Sequence, residues 1–427
     1  MAQEKKYIPE RRFPEFKNDG EWILETIGTI ADTFSGGTPT VGNREYYGGD
    51  IPFIRSGEIS NDKTELFITE SGLSNSSAKM VDKGTVLYAM YGATSGEVAI
   101  SKISGAINQA ILAIIPKSQE YSSSYIYHYL KHNKQYILGK YLQGGQGNLS
   151  ANIINNLPIY LPCDSEGKVS IKEQQKIADC LSSLDEYINV AKQKVDQLKE
   201  HKKGLMQCLF PAKGKTTPEF RFPGCCDTKE WDNSSLGAIG DTFGGLSGKS
   251  SDDFGSGRPF VTYKQVFDFS EVSIKDCSLV RIVESESQNK LEYGDVLVTM
   301  SSETPEEIGY TSVVTDKDIP ECYLNSFCFI YRIFDKDSFD PRFLIYLFNC
   351  DTYRSSVIRI AQGITRYNIS KTQFKDIMLS YPKDKSEQRA IAEVLYSADI
   401  QINKYVQKVN ELETQKKGLR QQLFPKL

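Results

Sequence analysis

The sequence predicts an α+β protein: two mixed α/β domains joined by a long antiparallel two-helix coiled coil, the whole built as a pseudo-two-fold internal repeat. Three observations carry this. Residues 173–211 (EQQKIADCLSSLDEYINVAKQKVDQLKEHKKGLMQCLFP) and 387–425 (EQRAIAEVLYSADIQINKYVQKVNELETQKKGLRQQLFP) align without a gap, so Glu173 answers Glu387, Asp185 answers Asp399 and Phe210 answers Phe424. Both copies place apolar residues at alternating steps of four and three, among them Ile177, Leu181, Leu184, Ile188, Val195 and Leu198 in the first. That average step of about 3.5 is the seam of a coiled coil. Third, the chain before each copy repeats too, though loosely.

Taken in order, the first domain spans 1–171, the central helix 172–215, the second domain 216–385 and the C-terminal helix 386–427. Within the domains RRFPEF (11–16) is answered by FRFPG (220–224), and Glu21-Trp22 by Glu230-Trp231. IGTIADTFSGG (27–37) pairs with LGAIGDTFGGL (236–246), KGTVLYAM (83–90) with YGDVLVTM (293–300), and QGGQGNLS (143–150) with QGITRYNIS (362–370). The offset drifts between these blocks, as expected for a shared scaffold with divergent loops. In the helices, Ser386-Glu387 reads as a start signal, and Pro211 and Pro425 stop both copies at one point. Each helix is about 57 Å long at 1.5 Å per residue. The seam position left over is Lys202 in one copy and Lys416 in the other. The ends of a compact domain lie close together, so the second domain brings the end of one helix near the start of the next and makes the pair antiparallel.

Composition narrows the class. A chain of 427 residues supports two or three domains with real cores. No apolar run reaches the roughly 18 residues a membrane helix needs, and Ala110–Ile115 reads as a buried strand. MAQEKKY carries no hydrophobic signal region, and nine Cys without a CxxC pair suit a reducing cytoplasm. A net charge of −4 argues against a protein that simply coats nucleic acid; a DNA reader of this charge must gather its cations on one face.

Catalytic and cofactor motifs fail one after another. GGLSGKS (244–250) lacks the glycine a phosphate loop needs at position 243, which is Phe243. His128 and His132 stand four apart, but Glu does not follow His128 and a third ligand is absent. NNLPIY (155–160) is broken by Leu157 as a base-holding loop, no strand–GxGxxG–helix unit occurs, and Cys225-Cys226 is an incidental pair. We therefore expect no enzyme, no bound metal and no cofactor in this chain.

What remains is a set of loops mixing Gly, hydroxyl side chains and base-pairing amides or cations. In the first half they supply Thr38, Asn43, Arg44, Tyr46, Tyr91, Thr94, Gln143, Gln146 and Asn148. In the second they supply Ser247, Lys249, Tyr263, Lys264, Ser301, Arg359, Thr365, Arg366 and Tyr367. These are the candidate DNA-binding residues.

On SGGTPTVGNREYYGGDIPFIRSGEI (35–59), VLYAMYGATSGEVAI (86–100), GAINQAILAI (105–114), the NLSANIINNLPIYLP and NISKTQFKDIMLSYP junctions, and the KGLMQCLFP and KGLRQQLFP endings, the chain resembles the specificity subunit of type I restriction–modification enzymes over essentially its whole length. Its second domain departs by lacking the GGTP and YYGGDIPF strings. The resemblance implies two target-recognition domains, each reading one half of a split site in double-stranded DNA, with the coiled coil fixing the unread spacer. It implies a non-catalytic, cytoplasmic subunit that recruits two methyltransferase subunits, which motor-nuclease restriction subunits can join. S-adenosylmethionine, ATP and Mg are then expected on those partners and none on this chain. Helix positions Glu173, Gln174, Lys203 and Gly204, with their copies Glu387, Gln388, Lys417 and Gly418, become candidate docking residues for the methyltransferase. The rival readings are a self-contained enzyme with an unrecognised motif and a duplicated coiled-coil adaptor that binds proteins but not DNA.

Overall fold

The computed structural model describes residues 7–142, 148–223 and 230–425. Its residues gather into two compact units, Met1–Lys192 with Gln407–Leu427, and Gln193–Val406. Both unit boundaries fall inside the long helices, so each unit holds one globular domain and a stretch of each helix.

In the first unit an antiparallel sheet runs in the order Ala31–Ser35, Ile111–Pro116, Val86–Ala89, Val98–Ile100. Successive side chains on a strand face opposite ways, and here both faces are covered. Val86 and Tyr88 join Leu112 and Ile114 in the core beneath the helix Ser123–Tyr141, while Leu87, Ala89, Ile111 and Ala113 pack the other side. That is why 111–114 is a continuous apolar run. A second sheet orders Leu66–Ile68, Tyr47–Ile54, Gly105–Ile107 and Lys79–Val81, with one parallel pair, Phe53 beside Ala106.

The second unit repeats this plan. Its main sheet is Gly240–Gly244, Cys328–Ile333, Val296–Thr299, Thr311–Val313, with Val296 and Val298 facing one core and Leu297 the other. Its second sheet, Ser278–Val280, Phe254–Val261, Tyr323–Leu324, again contains one parallel pair, Phe260 beside Tyr323. Both central strands carry the same bulge: Tyr47 and Ile51 oppose Ile68, and Phe254 and Arg258 oppose Val280. Residues 50–54 (DIPFI) and 257–261 (GRPFV) are thus one structural strand. The second domain has lost the string YYGGDIPF but kept the element; Pro-Phe followed by a β-branched residue is the part that survives.

The long helices are Ile171–Leu209 and Lys385–Leu423, each ending two residues before its proline. Ser170 caps the first, its hydroxyl accepting from the Glu173 amide; Asp384 caps the second, accepting from Ser386. The start signal of the second helix is therefore Asp384 rather than Ser386. Within each unit the helix stretches run antiparallel. In the first, Asp185 pairs with Lys416 and Lys192 with Glu413, so rising numbers on one helix meet falling numbers on the other. In the second, Lys202 pairs with Asp399, and Leu209 shares a core with Ile391 and Leu395. The leftover seam lysines thus each find an aspartate, and the two contacts are the same contact with the copies exchanged.

Each helix start is also clamped to its own domain. Arg12 donates from Nε and Nη2 to the two Glu173 oxygens at 2.8 and 2.7 Å, and its remaining donors reach the carbonyls of Asp19, Gly20 and Cys163. Arg221 grips Glu387 in the same bidentate way, with the Trp231 indole as a further donor. All four charged side chains are nearly enclosed. Removing one member of such a buried pair costs about 3–5 kcal/mol, because the other charge is left stranded.

Candidate nucleic-acid interface

In the first unit the loop after Ala31–Ser35 is set by backbone crowding. A Cβ on Gly36 would stand 1.8 Å from the Ile107 carbonyl oxygen, so only glycine fits there. The Tyr47 hydroxyl then ties to the Pro39 carbonyl at 2.7 Å, and Asn43 caps a short turn that leaves Arg44 exposed and Tyr46 half-buried. Thr38 is exposed and donates to the Gln109 side chain. Tyr91 leads into the turn Gly92–Thr94, and Thr94 closes it. The Leu149 amide bonds the Met90 carbonyl at 2.9 Å, bringing exposed Asn148 to that same turn. Gln143 and Gln146, like Cys225-Cys226, lie outside the described residues.

The second unit gathers its loops more tightly. Ser301–Ser302 pairs with Tyr367–Asn368 as a two-stranded strap, and the Ile369 amide bonds the Met300 carbonyl as Leu149 does Met90. The Tyr263 hydroxyl donates to the Ser301 carbonyl at 2.7 Å. Tyr263, Ser301 and Arg366 consequently line one cleft, and Tyr367 belongs to the strap beside it. The cleft adds residues that the sequence reading did not single out: Phe267, Glu303, Glu307 and Phe327. Both glutamates stand in MSSETPEE (300–307), the string that begins just before Ser301, which was the available signal. Arg359 and Thr365 are exposed; Lys264 is exposed and pairs with Asp268 one turn on. Ser247 is exposed on a separate loop, hydrogen-bonded through its backbone to Gln288.

Two groups of expected residues are corrected by their surroundings. The Lys249 side chain is 4% exposed, its ammonium donating to Glu286 and to the Arg281 carbonyl. It holds a loop together and offers no free cation to a phosphate. Glu173, Gln174, Glu387 and Gln388, expected on open helix faces, are buried. The glutamates hold the arginine clamps. Gln174 bonds the Ser122 amide and the Glu120 carbonyl, and Gln388 bonds the Asp340 amide and the Ser338 and Pro382 carbonyls. Lys203 and Lys417 remain exposed; beside them Gly204 and Gly418 have open space where a Cβ would stand.

A polar cluster in the first unit also escaped the sequence reading. Arg55 bridges Glu58 and Glu65 at the turn that corresponds to Thr262–Gln265 in the second unit. Burial pushes the Glu58 carboxyl up, but hydrogen bonds from Arg55 and from backbone amides outweigh it and hold the group at about 2. The same scaffold position thus carries an ion cluster in one unit and an uncharged capping box in the other.

Residues 20–200 and 228–414 each match the type I restriction modification DNA specificity domain. The chain is 22% identical over 421 residues to the type I restriction enzyme MjaVIII specificity subunit of Methanocaldococcus jannaschii, spanning 93% of this chain and 91% of that one. It is 31% identical over 188 residues to the MjaIX specificity subunit of the same organism, a match covering 42% of this chain and 41% of the relative. Among solved structures, the S subunit of the type I restriction-modification system from M. genitalium superposes with a TM-score of 0.60 at 16% identity, over 98% of this chain and 99% of that one. A chain from a structure of type I R-M complex assembly and conformational transition gives 0.55 at 18% identity, over 97% and 99%. These two likenesses are of fold. With matched residues filling both halves and the same sheet plan in both units, the chain belongs to the type I restriction modification DNA specificity family.

Proposed function

We propose that this chain is the DNA-specificity subunit of a type I restriction–modification complex and that its two domains read the two halves of a bipartite duplex site. The observation that supports this most is the pairing of one scaffold with two different loop sets: the same bulged strand and turns present Arg55, Glu58 and Tyr91 in one unit and Tyr263 and Ser301, with Arg366 beside them, in the other. Two copies of one reader with unlike reading edges suit two unlike half-sites. The subunit recruits methyltransferase subunits, which supply S-adenosylmethionine and methylate adenine after flipping it out of the stack. Motor-nuclease subunits with ATP and Mg complete the restriction form, and the work is cytoplasmic. The chain itself performs no bond chemistry. A duplicated adaptor without DNA specificity gains no support from the family match.

Mapping of methylated adenines across the host genome, with and without this gene, tests the proposal. One split motif should disappear with the gene. Replacing residues 12–170 with another recognition domain should change one half of that motif and leave the other intact. An unchanged methylation map, or a change in both halves, would overturn it.

A further inference from the structure

The cleft of the second unit has a composition that groove contact alone does not use. It measures about 270 Å³. Two of its walls are the rings of Tyr263 and Phe267, stacked with centroids 6.2 Å apart at 17°. A third is Phe327, a phenyl ring left 52% exposed. The Arg366 guanidinium lies 5.8 Å from the centre of that ring, and its side chain has no ion pair among the described residues. The Ser301 hydroxyl is buried beside the cleft and has no hydrogen-bond partner among the described residues. Glu303 and Glu307 line the same space, and neither carboxylate is held by a hydrogen bond or ion pair among the described residues.

We propose that this cleft receives one unstacked, amine-bearing base of the half-site read by the second unit. The inference rests on the DNA-reading proposal above and goes a step beyond it. Aromatic faces stack on any base. Free carboxylates accept from an exocyclic amine, as they do from cytosine N4. The Arg366 guanidinium supplies donors for ring nitrogens or a carbonyl. Thymine, which has no exocyclic amine, would turn carbonyl oxygens toward carboxylates and is the base the cleft rejects. A base can lay its face against the rings of Tyr263, Phe267 and Phe327 only after parting from its neighbours in the duplex, so the base must leave the stack.

The loop beside the cleft supplies what fills the gap. Ile364 is 94% exposed, two residues before Arg366. Gly363 has φ of 144°, and a Cβ there would stand 2.0 Å from the Arg366 carbonyl oxygen, so a tight turn holds Ile364 at the tip. Apolar side chains so presented enter base steps and take the place of a displaced base. The first unit has Ser56 where the second has Tyr263, and Tyr91 where it has Ser301, so the proposal is confined to one half-site.

The test uses the full chain with its methyltransferase subunits, without S-adenosylmethionine, on duplexes carrying 2-aminopurine at each position of the second half-site in turn. Fluorescence should rise several-fold at one position besides the methylated adenine. That rise should be lost in Phe327→Ala and in Ile364→Ser, while the rise at the methylated adenine persists. Ile364 is almost wholly exposed, so its replacement leaves folding intact. Glu307→Gln should also relax the genomic motif to admit thymine at that one position. Specific binding, seen by anisotropy, without any such extra rise would overturn the cleft proposal and leave DNA reading standing. A rise indifferent to Phe327→Ala and Ile364→Ser would overturn it equally. Failure of the unsubstituted complex to bind its mapped site would overturn both.

Discussion

His128 lies inside the first unit with its Nε2 2.9 Å from the Ser182 hydroxyl and its Nδ1 without a partner among the described residues. Burial is the main cause that lowers its pKa to about 3; Lys416, Lys131 and Arg420 act in the same direction and Asp185 against them. The ring is therefore neutral in the folded chain, whereas in the unfolded chain it titrates near the usual 6.5. A depressed folded pKa gives stability that is complete above the unfolded value and lost as pH falls toward the folded one. Between pH 7 and pH 5 this single group should cost about 2 kcal/mol. Urea unfolding of the full chain at the two pH values should show that loss for the first unit, and His128→Asn should remove this contribution to it. Glu173 was not legible: its recurrence in both repeats suggested a shared partner surface, but Arg12 stands 161 residues away in the chain. Lys249 failed for the same reason, its Glu286 lying 37 residues on. Residue type and local spacing carry no record of such distant pairing.

At the scale of elements, the long helices were the most legible part, because a 3.5-residue apolar period sustained over many turns, and written twice without a gap, fits a coiled-coil seam and neither a strand nor a loop. The lysines that interrupt the seam were visible too, though not what they met. The structure supplies Asp185 for Lys416 and Asp399 for Lys202, with the Tyr346 hydroxyl also donating to Asp399. A polar pair within an apolar seam fixes register at some cost in stability. Asp185→Lys should therefore destabilise the helix pairing of the first unit by on the order of 3 kcal/mol. Adding Lys416→Asp should recover most of it, as read by denaturant unfolding of the full chain. If the double variant is no more stable than the single one, the pair does not set register. The strands were harder to read. Literal string matching lost the central strand of the second domain, since its bulged half diverged and only Pro259-Phe260-Val261 kept the pattern.

For the whole molecule, the proposed role of the helices is to set the unread spacer. Matched insertions of about four residues near Val190 and near Glu413 lengthen both helices by about 6 Å. At 3.4 Å per base pair that is about two base pairs. Methylation mapping should show a spacer longer by that amount and both half-site sequences unchanged; altered half-sites would mean the helices do more than separate the readers. The two-domain plan was legible because the duplication wrote it twice. The proposed reading surface is visible in the sequence only as separate loops, since the grouping of Tyr263, Ser301 and Arg366 depends on a strap that pairs residues 301–302 with 367–368.

The exchanged seam contacts carry a genetic consequence. Asp185 meets the copy of Lys202, and Lys202 meets the copy of Asp185, so this pair does not identify which globular part a helix is attached to. A crossover between two such genes inside the helix-coding repeat would trade one reader for another while both lysine–aspartate pairs could re-form. Novel target sequences can then arise by recombination alone, in a single event and without a point mutation at the joint.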